Sequence, residues 1–234
     1  MPKLYPETIE KITSIAMSLY DSYMEELENN EYVKMSFSNG NDKIGHTLNV
    51  STMPGFTCRN FKECINTCYA ERCASYHGKS VIDAWIRNTV ILKVDRDRYF
   101  REIDEKMTRR RTNKFFRWHV SGDIPDYDYF VRMVEIAKKH PDFKIWTYTK
   151  NYWFVNKYCD TYGRDAIPEN FSFMFSAWPG CKMKNPYNFP IFNFVPKGSD
   201  VFPDLPFCPG NCDVCKTNGG RGCIAGEPMN VREH

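Results

Sequence analysis

Short runs of aromatic and β-branched residues alternate along this chain with longer stretches whose apolar side chains recur every three or four positions. That alternation specifies βα units and a largely parallel sheet. The strand runs are His46 to Thr52, Phe115 to Val120, Lys144 to Thr149, Phe171 to Trp178 and Ile191 to Val195. Between and before them lie helical patterns. One covers residues 7–28, with Ile9, Ile12, Ile15, Ala16, Leu19, Tyr23 and Leu27 on one side. A second covers 78–111 with a break near Asp95, a third 126–139, and a fourth ends about Tyr162. Residues 29–43 read as a short strand or loop.

Right-handed crossovers put the helices on one side of a curling sheet. The expected fold is therefore α/β, a partial or complete (β/α) barrel with an N-terminal helix and a C-terminal cysteine-rich loop. Three units are expected: a helical segment over 1–33, the barrel-like domain over 34–200 and a cluster-binding segment over 201–234. Chemistry in such folds collects where strands run out at their C-terminal ends. Those ends carry Cys58, Cys64 and Cys68, then Ser121-Gly122-Asp123, then Thr149-Lys150-Asn151, then Trp178-Pro179-Gly180-Cys181.

With 42% hydrophobic and 15% aromatic residues the chain has ample material for a core. A net charge of +3 is too weak to indicate nucleic acid. The basic run from Lys106 to Arg117 suits a helix C-terminus leading into a strand better than a phosphate site. No apolar stretch of ~18 residues is present, so no membrane span is expected. The first residues lack a basic segment followed by an apolar run, which predicts a cytoplasmic protein with reduced thiols.

Reduced, clustered cysteines read as metal ligands or catalytic groups. Seven of the ten fall into two groups, Cys58-x5-Cys64-x3-Cys68 and Cys208-x3-Cys212-x2-Cys215-x7-Cys223. Four thiolates can satisfy one zinc ion or the four irons of a cubane cluster. Three of the second group's thiols crowd one loop, which fits a [4Fe–4S] cluster better than zinc. Three thiolates in the first group would leave one iron of a cluster open to an external ligand. In a helix begun by Tyr69, Cys73 would point roughly 140° away from Cys68. Cys73 and Cys159 are thus read as packed core thiols; Cys181, at a strand end, stays open. His119 is expected to be a satisfied core histidine, and strand parity decides whether His46 and Asn49 face inward.

The stretch Cys64-Ile-Asn-Thr-Cys68-Tyr-Ala-Glu71 lies after the first long strand, with Ser121-Gly122-Asp123 and Tyr148-Thr149-Lys150 after the next two. It resembles the radical S-adenosylmethionine enzymes, and the match is nearest to the phage family known as gene product eighty-eight, from about residue 34 onward. The resemblance implies that Cys58, Cys64 and Cys68 hold a [4Fe–4S] cluster. It implies that Gly122 and Asp123 hold the amino group of S-adenosylmethionine, and Lys150 stands where it could neutralise a carboxylate. Cys208, Cys212, Cys215 and Cys223 would hold an auxiliary cluster. The spacing C-x5-C-x3-C departs from the superfamily's usual C-x3-C-x2-C.

The expected activity is reductive cleavage of S-adenosylmethionine on a small-molecule or macromolecular substrate, with an electron donor as partner. The alternative is a non-catalytic iron–sulfur electron carrier, or a cluster-stabilised or zinc-stapled binding protein.

Overall fold

A computed structural model describes residues 5–58, 68–178, 181–199, 203–217 and 221–232. Its centre is one seven-stranded sheet in which the strands lie side by side in chain order. Helix α1 (Pro6–Glu28) leads into β1 (Ser38–Asn41) and β2 (Gly45–Val50), an antiparallel hairpin. After the first cysteine segment come α2 (Tyr69–His77), α3 (Lys79–Val94) and α4 (Arg96–Thr108). Next are β3 (Phe115–Trp118), α5 (Tyr127–Lys139), β4 (Lys144–Thr149), α6 (Tyr152–Tyr162), β5 (Phe171–Ala177) and β6 (Ile191–Val195). The cysteine-rich end folds into α7 (Cys212–Thr217), a 3₁₀ turn over Gly222–Ala225, and β7 (Met229–Arg232).

From β2 to β7 every neighbouring pair is parallel. The sheet is open, with β1 and β7 as its edges. A complete barrel is therefore not formed: β1 is short, antiparallel and irregular in register between Ser38 and Gly40, features that end pairing at an edge.

Side-chain parity divides the sheet. Leu48, Val50, Phe116, Trp118, Ile145, Phe171, Phe173 and Phe175 pack toward the helices. Phe115, Trp146, Tyr148, Met174 and Phe192 point to the other face, against Ile224, Met229 and the C-terminal thiols. Burying each large side chain contributes about 1.5–3 kcal/mol, so the aromatic stripe on the helix side supplies much of the driving force. Helix α1 lays Ile12 and Ala16 against Ala70, Ala74, Ile82 and Ile86, forming a second cluster on α2 and α3.

The helix break expected near Asp95 is there, because the Asp95 carboxylate caps α4 by accepting from the Arg98 N–H at 2.9 Å. Other boundaries differ from the sequence pattern. Strand β2 stops at Val50, two residues short of Thr52. The β3 strand stops at Trp118, two residues short of Val120, because His119 turns to φ +55°. The C-terminal segment is more than a loop, since Met229–Arg232 adds a parallel strand beside β6.

Candidate metal centre

Strand β2 delivers the first cysteine segment through a tightly held turn. The Thr52 N–H donates to Ser121 O at 3.1 Å, and Ser121 Oγ donates back to Thr52 O at 2.8 Å. Asn88 on α3 donates to Ser51 O at 2.8 Å, and the Met53 N–H donates to Thr89 Oγ1 at 2.9 Å. Cys58 therefore leaves an anchored backbone, and Cys68 stands at the N-cap of α2; both are partly buried. Cys64 lies outside the described residues.

At the end of β3, Gly122 adopts φ +90°, and a Cβ there would stand 2.0 Å from Thr52 Oγ1. Only glycine fits that approach. Asp123 is buried beside it. Its Oδ1 accepts from the Ile124 N–H and Thr149 Oγ1, both at 2.7 Å, and its Oδ2 accepts from the Lys150 N–H at 3.0 Å. Burial raises the Asp123 carboxyl above its usual range, opposed by the Lys150 N–H and charge. The carboxylate ties the ends of β3 and β4 together. Asn151 extends the tie by donating to Ile124 O at 2.5 Å. Lys150 does follow the strand, its Nζ 5.8 Å from the Trp178 ring centroid.

The four C-terminal cysteines come together on the sheet face opposite the helices. Cys208, Cys212 and Cys215 pack with buried Cys223 against Trp146, Tyr148 and Phe192. The backbone arranges this from three sides. Cys208 N–H donates to Asn230 O at 2.8 Å beside β7, and Cys212 N–H donates to Lys43 O at 2.8 Å in the β1–β2 turn. The Arg221 N–H closes on Cys215 O at 3.2 Å. Gly222, at φ +69°, is the tight point, because a Cβ there would meet Met229 Sδ at 2.9 Å and Cys215 Sγ at 3.5 Å. The Cys223 thiol donates to Met229 Sδ at 3.6 Å.

Burial pushes the Cys223 thiol up to about 12, against a hydrogen bond with Tyr148. Burial likewise raises Cys212, opposed by Arg117, and raises Cys215, reinforced by Cys212 and Cys208. Burial thus favours the protonated form of Cys212, Cys215 and Cys223, and a bound metal would reverse that preference. All four are free, and among the described residues no three Cys, His, Asp or Glu side chains are drawn to coordination distance. The thiols share a neighbourhood without forming a closed coordination sphere.

The other cysteines divide as follows. Cys159 is buried on α6, with its thiol raised to about 11 by burial. Cys181 is partly buried, its N–H donating to Trp178 O at 3.0 Å. Cys73 packs only partly into the α1–α3 cluster, and burial raises its thiol against the pull of Lys43. It is thus less a core thiol than its helical spacing predicts. His119 is a core histidine but only half satisfied: its Nε2 lies 2.8 Å from Tyr129 Oη, its Nδ1 is buried with no partner among the described residues, and burial lowers its pKa to about 3. Parity separates His46, which is exposed, from Asn49, which is buried and donates to Thr47 O at 3.1 Å.

The basic run is spent on the fold. Arg109 pairs with Glu105, Arg110 donates to Asn113 O and Asn39 Oδ1, and Lys114 pairs with Asp142. One group at the site, Arg117, carries no motif that sequence reasoning could use, and Glu71 stands in a motif that does not announce its burial. Arg117 lies on the thiol-bearing face of β3, and Glu71 is buried in the first turn of α2. The only available signal was parity, since Arg117 alternates with Phe116 and Trp118.

Residues 23–179 match the family model described as Gene product 88. The chain belongs to this family. In this Gene product 88 protein the matched region takes in the first cysteine segment, Asp123 and Lys150, and stops before the four C-terminal cysteines. No curated protein and no solved structure matches the chain. Among the described residues, no helix is long and apolar enough to cross a membrane.

Proposed function

We propose that this Gene product 88 protein is an iron–sulfur protein of the radical S-adenosylmethionine type. The observation that carries the reading is the convergence of Cys208, Cys212, Cys215 and Cys223, free and unpaired, on the sheet face away from the helices. Six parallel strands in chain order, with the first cysteine segment leaving the C-terminal end of β2, support the barrel-like part of it.

The donor set fits the group. Four sulfur side chains, a glycine with no room for a Cβ and an apolar wall of Trp146 and Phe192 favour a soft metal centre shielded from water. Cys58, Cys64 and Cys68 would hold the first cluster, which supplies an open iron and an electron for cleaving a sulfonium. The chain's own residues then have defined tasks. Ser121 and Thr52 hold the two strand-end loops in register, Asp123 fixes the backbone of Lys150, and Trp178 lies under the Lys150 ammonium.

One observation favours a second reading, a non-catalytic iron–sulfur carrier. The Asp123 carboxylate already accepts from three internal donors and is less suited to binding an ammonium group.

Anaerobic purification followed by iron, acid-labile sulfide and zinc analysis tests the reading. About eight irons per chain are expected for two cubanes. Cys64→Ala should empty the first centre and leave the second, and Cys212→Ala the reverse. Stoichiometric zinc without sulfide refutes the iron–sulfur reading. Loaded clusters that form no deoxyadenosine with dithionite and S-adenosylmethionine select the carrier.

A further inference from the structure

Arg117 shares its face of β3 with Phe115, the face that the cysteine-rich end covers. Arg117 is partly buried there, and the part of its guanidinium that has given up water requires compensating acceptors or anions. Among the described residues its Nε is buried with no acceptor, and its Cζ lies 4.8 Å from the Tyr148 ring centroid. Tyr148, the ring it covers, packs in one cluster with Cys208, Cys212, Cys215 and Cys223. Two lysines flank the same thiols from the β1–β2 side. Lys43 Nζ sits 4.6 Å over Tyr69 and is within reach of Cys208 and Cys73. Lys216 Nζ lies 5.3 Å over Phe115 near Cys212, but Asp213 neutralises it at 2.8 Å. Arg117 is therefore the cation on the sheet itself, stacked on the ring that packs with the thiols.

From this geometry we infer that Arg117 is the built-in counter-cation of the four-thiol centre, a positioning residue whose fixed charge holds the anionic, metal-loaded form of Cys208, Cys212, Cys215 and Cys223 within the fold. The inference rests on the metal-centre reading above. A metal held by four thiolates carries about two net negative charges, whether zinc or an oxidised cubane. Such a charge is expensive to bury unless it is compensated. Arginine suits the task because it stays charged and is weakly hydrated, and its stacking on Tyr148 fixes where the charge sits.

The test uses the full-length protein, purified anaerobically, as wild type, Arg117→Gln, Arg117→Lys and the surface control Arg110→Gln. Resistance of the bound metal to a chelator is measured for all four and, where iron is bound, the midpoint potential of the C-terminal centre. Arg117→Gln is expected to lower metal retention on the order of tenfold. It should also disfavour the more negative reduced state by a similar factor, about 59 mV downward for one electron. Arg117→Lys should keep most of the wild-type value, and Arg110→Gln all of it. The shift should persist at high salt, because a buried charge is screened little. If Arg117→Gln does not fold, Arg117→Met, which keeps an apolar stem against Tyr148, takes its place. A folded Arg117 variant with wild-type retention and potential overturns the inference. A wild-type protein that binds no metal overturns the metal-centre reading, and the counter-cation with it.

Discussion

Glu71 gives the sharpest test of how the first cysteine segment is built. It sits in the first turn of α2, three residues after Cys68, and is only 3% exposed. Its Oε2 is buried with no hydrogen-bond partner among the described residues. Burial alone raises its carboxyl from 4.5 to about 7. The sign follows directly. A carboxyl raised in the folded state costs nothing below its unfolded value; the penalty grows as pH climbs from that value to the folded one and is constant above it. Glu71→Gln keeps the volume and removes the charge. It should therefore stabilise the protein at pH 8 by about 1–2 kcal/mol once solvent screening is allowed for. That corresponds to a rise of about 2–8 °C in melting temperature for a chain of this size. The gain should shrink as the pH is lowered from 8 to 5. Urea unfolding of the two proteins, metal-free, at several pH values between those limits measures it. A pH-independent gain, or a loss at pH 8, would refute the claim that Glu71 is a buried carboxylate without a counter-charge.

Two further outcomes follow from the same geometry. Asp123→Asn sets an amide donor against the Lys150 N–H, or against Thr149 and Ile124, and should cost about 2–3 kcal/mol in urea unfolding; no loss would mean the strand ends are not tied through this carboxylate. Gly222→Ala forces a Cβ to 2.9 Å from Met229 Sδ at a positive φ. It should release metal from the C-terminal centre while circular dichroism shows the sheet intact, and undiminished metal content would show that Gly222 is not the tight point.

Much of the architecture was legible in the residue pattern. Strand alternation and helical periodicity gave the order and type of β2 to β6, and a capping aspartate marked the break at Asp95. Short elements were not legible. Met229–Arg232 is a strand because β6 lies beside it, and nothing in four residues announces a partner. The strand reading ran past Trp118 because His119 is compatible with an extended backbone, and only the bond to Tyr129 and the turn toward Ser121 require its positive φ.

The site divides along the same line. Spacing alone was enough to group Cys208, Cys212, Cys215 and Cys223, because sulfurs a few residues apart on one segment cannot stray far from one another. What surrounds them is a matter of folding. Lys43, Arg117 and Tyr148 are separated from the thiols by long stretches of chain, and the parallel sheet brings them to one face. Asp123 shows the same limit from the other side. Its position at a strand end was readable, while its commitment to Thr149 and Lys150 depends on a neighbouring strand ending level with it. Local sequence fixes which groups travel together, and long-range register decides which charges and hydrogen bonds they meet.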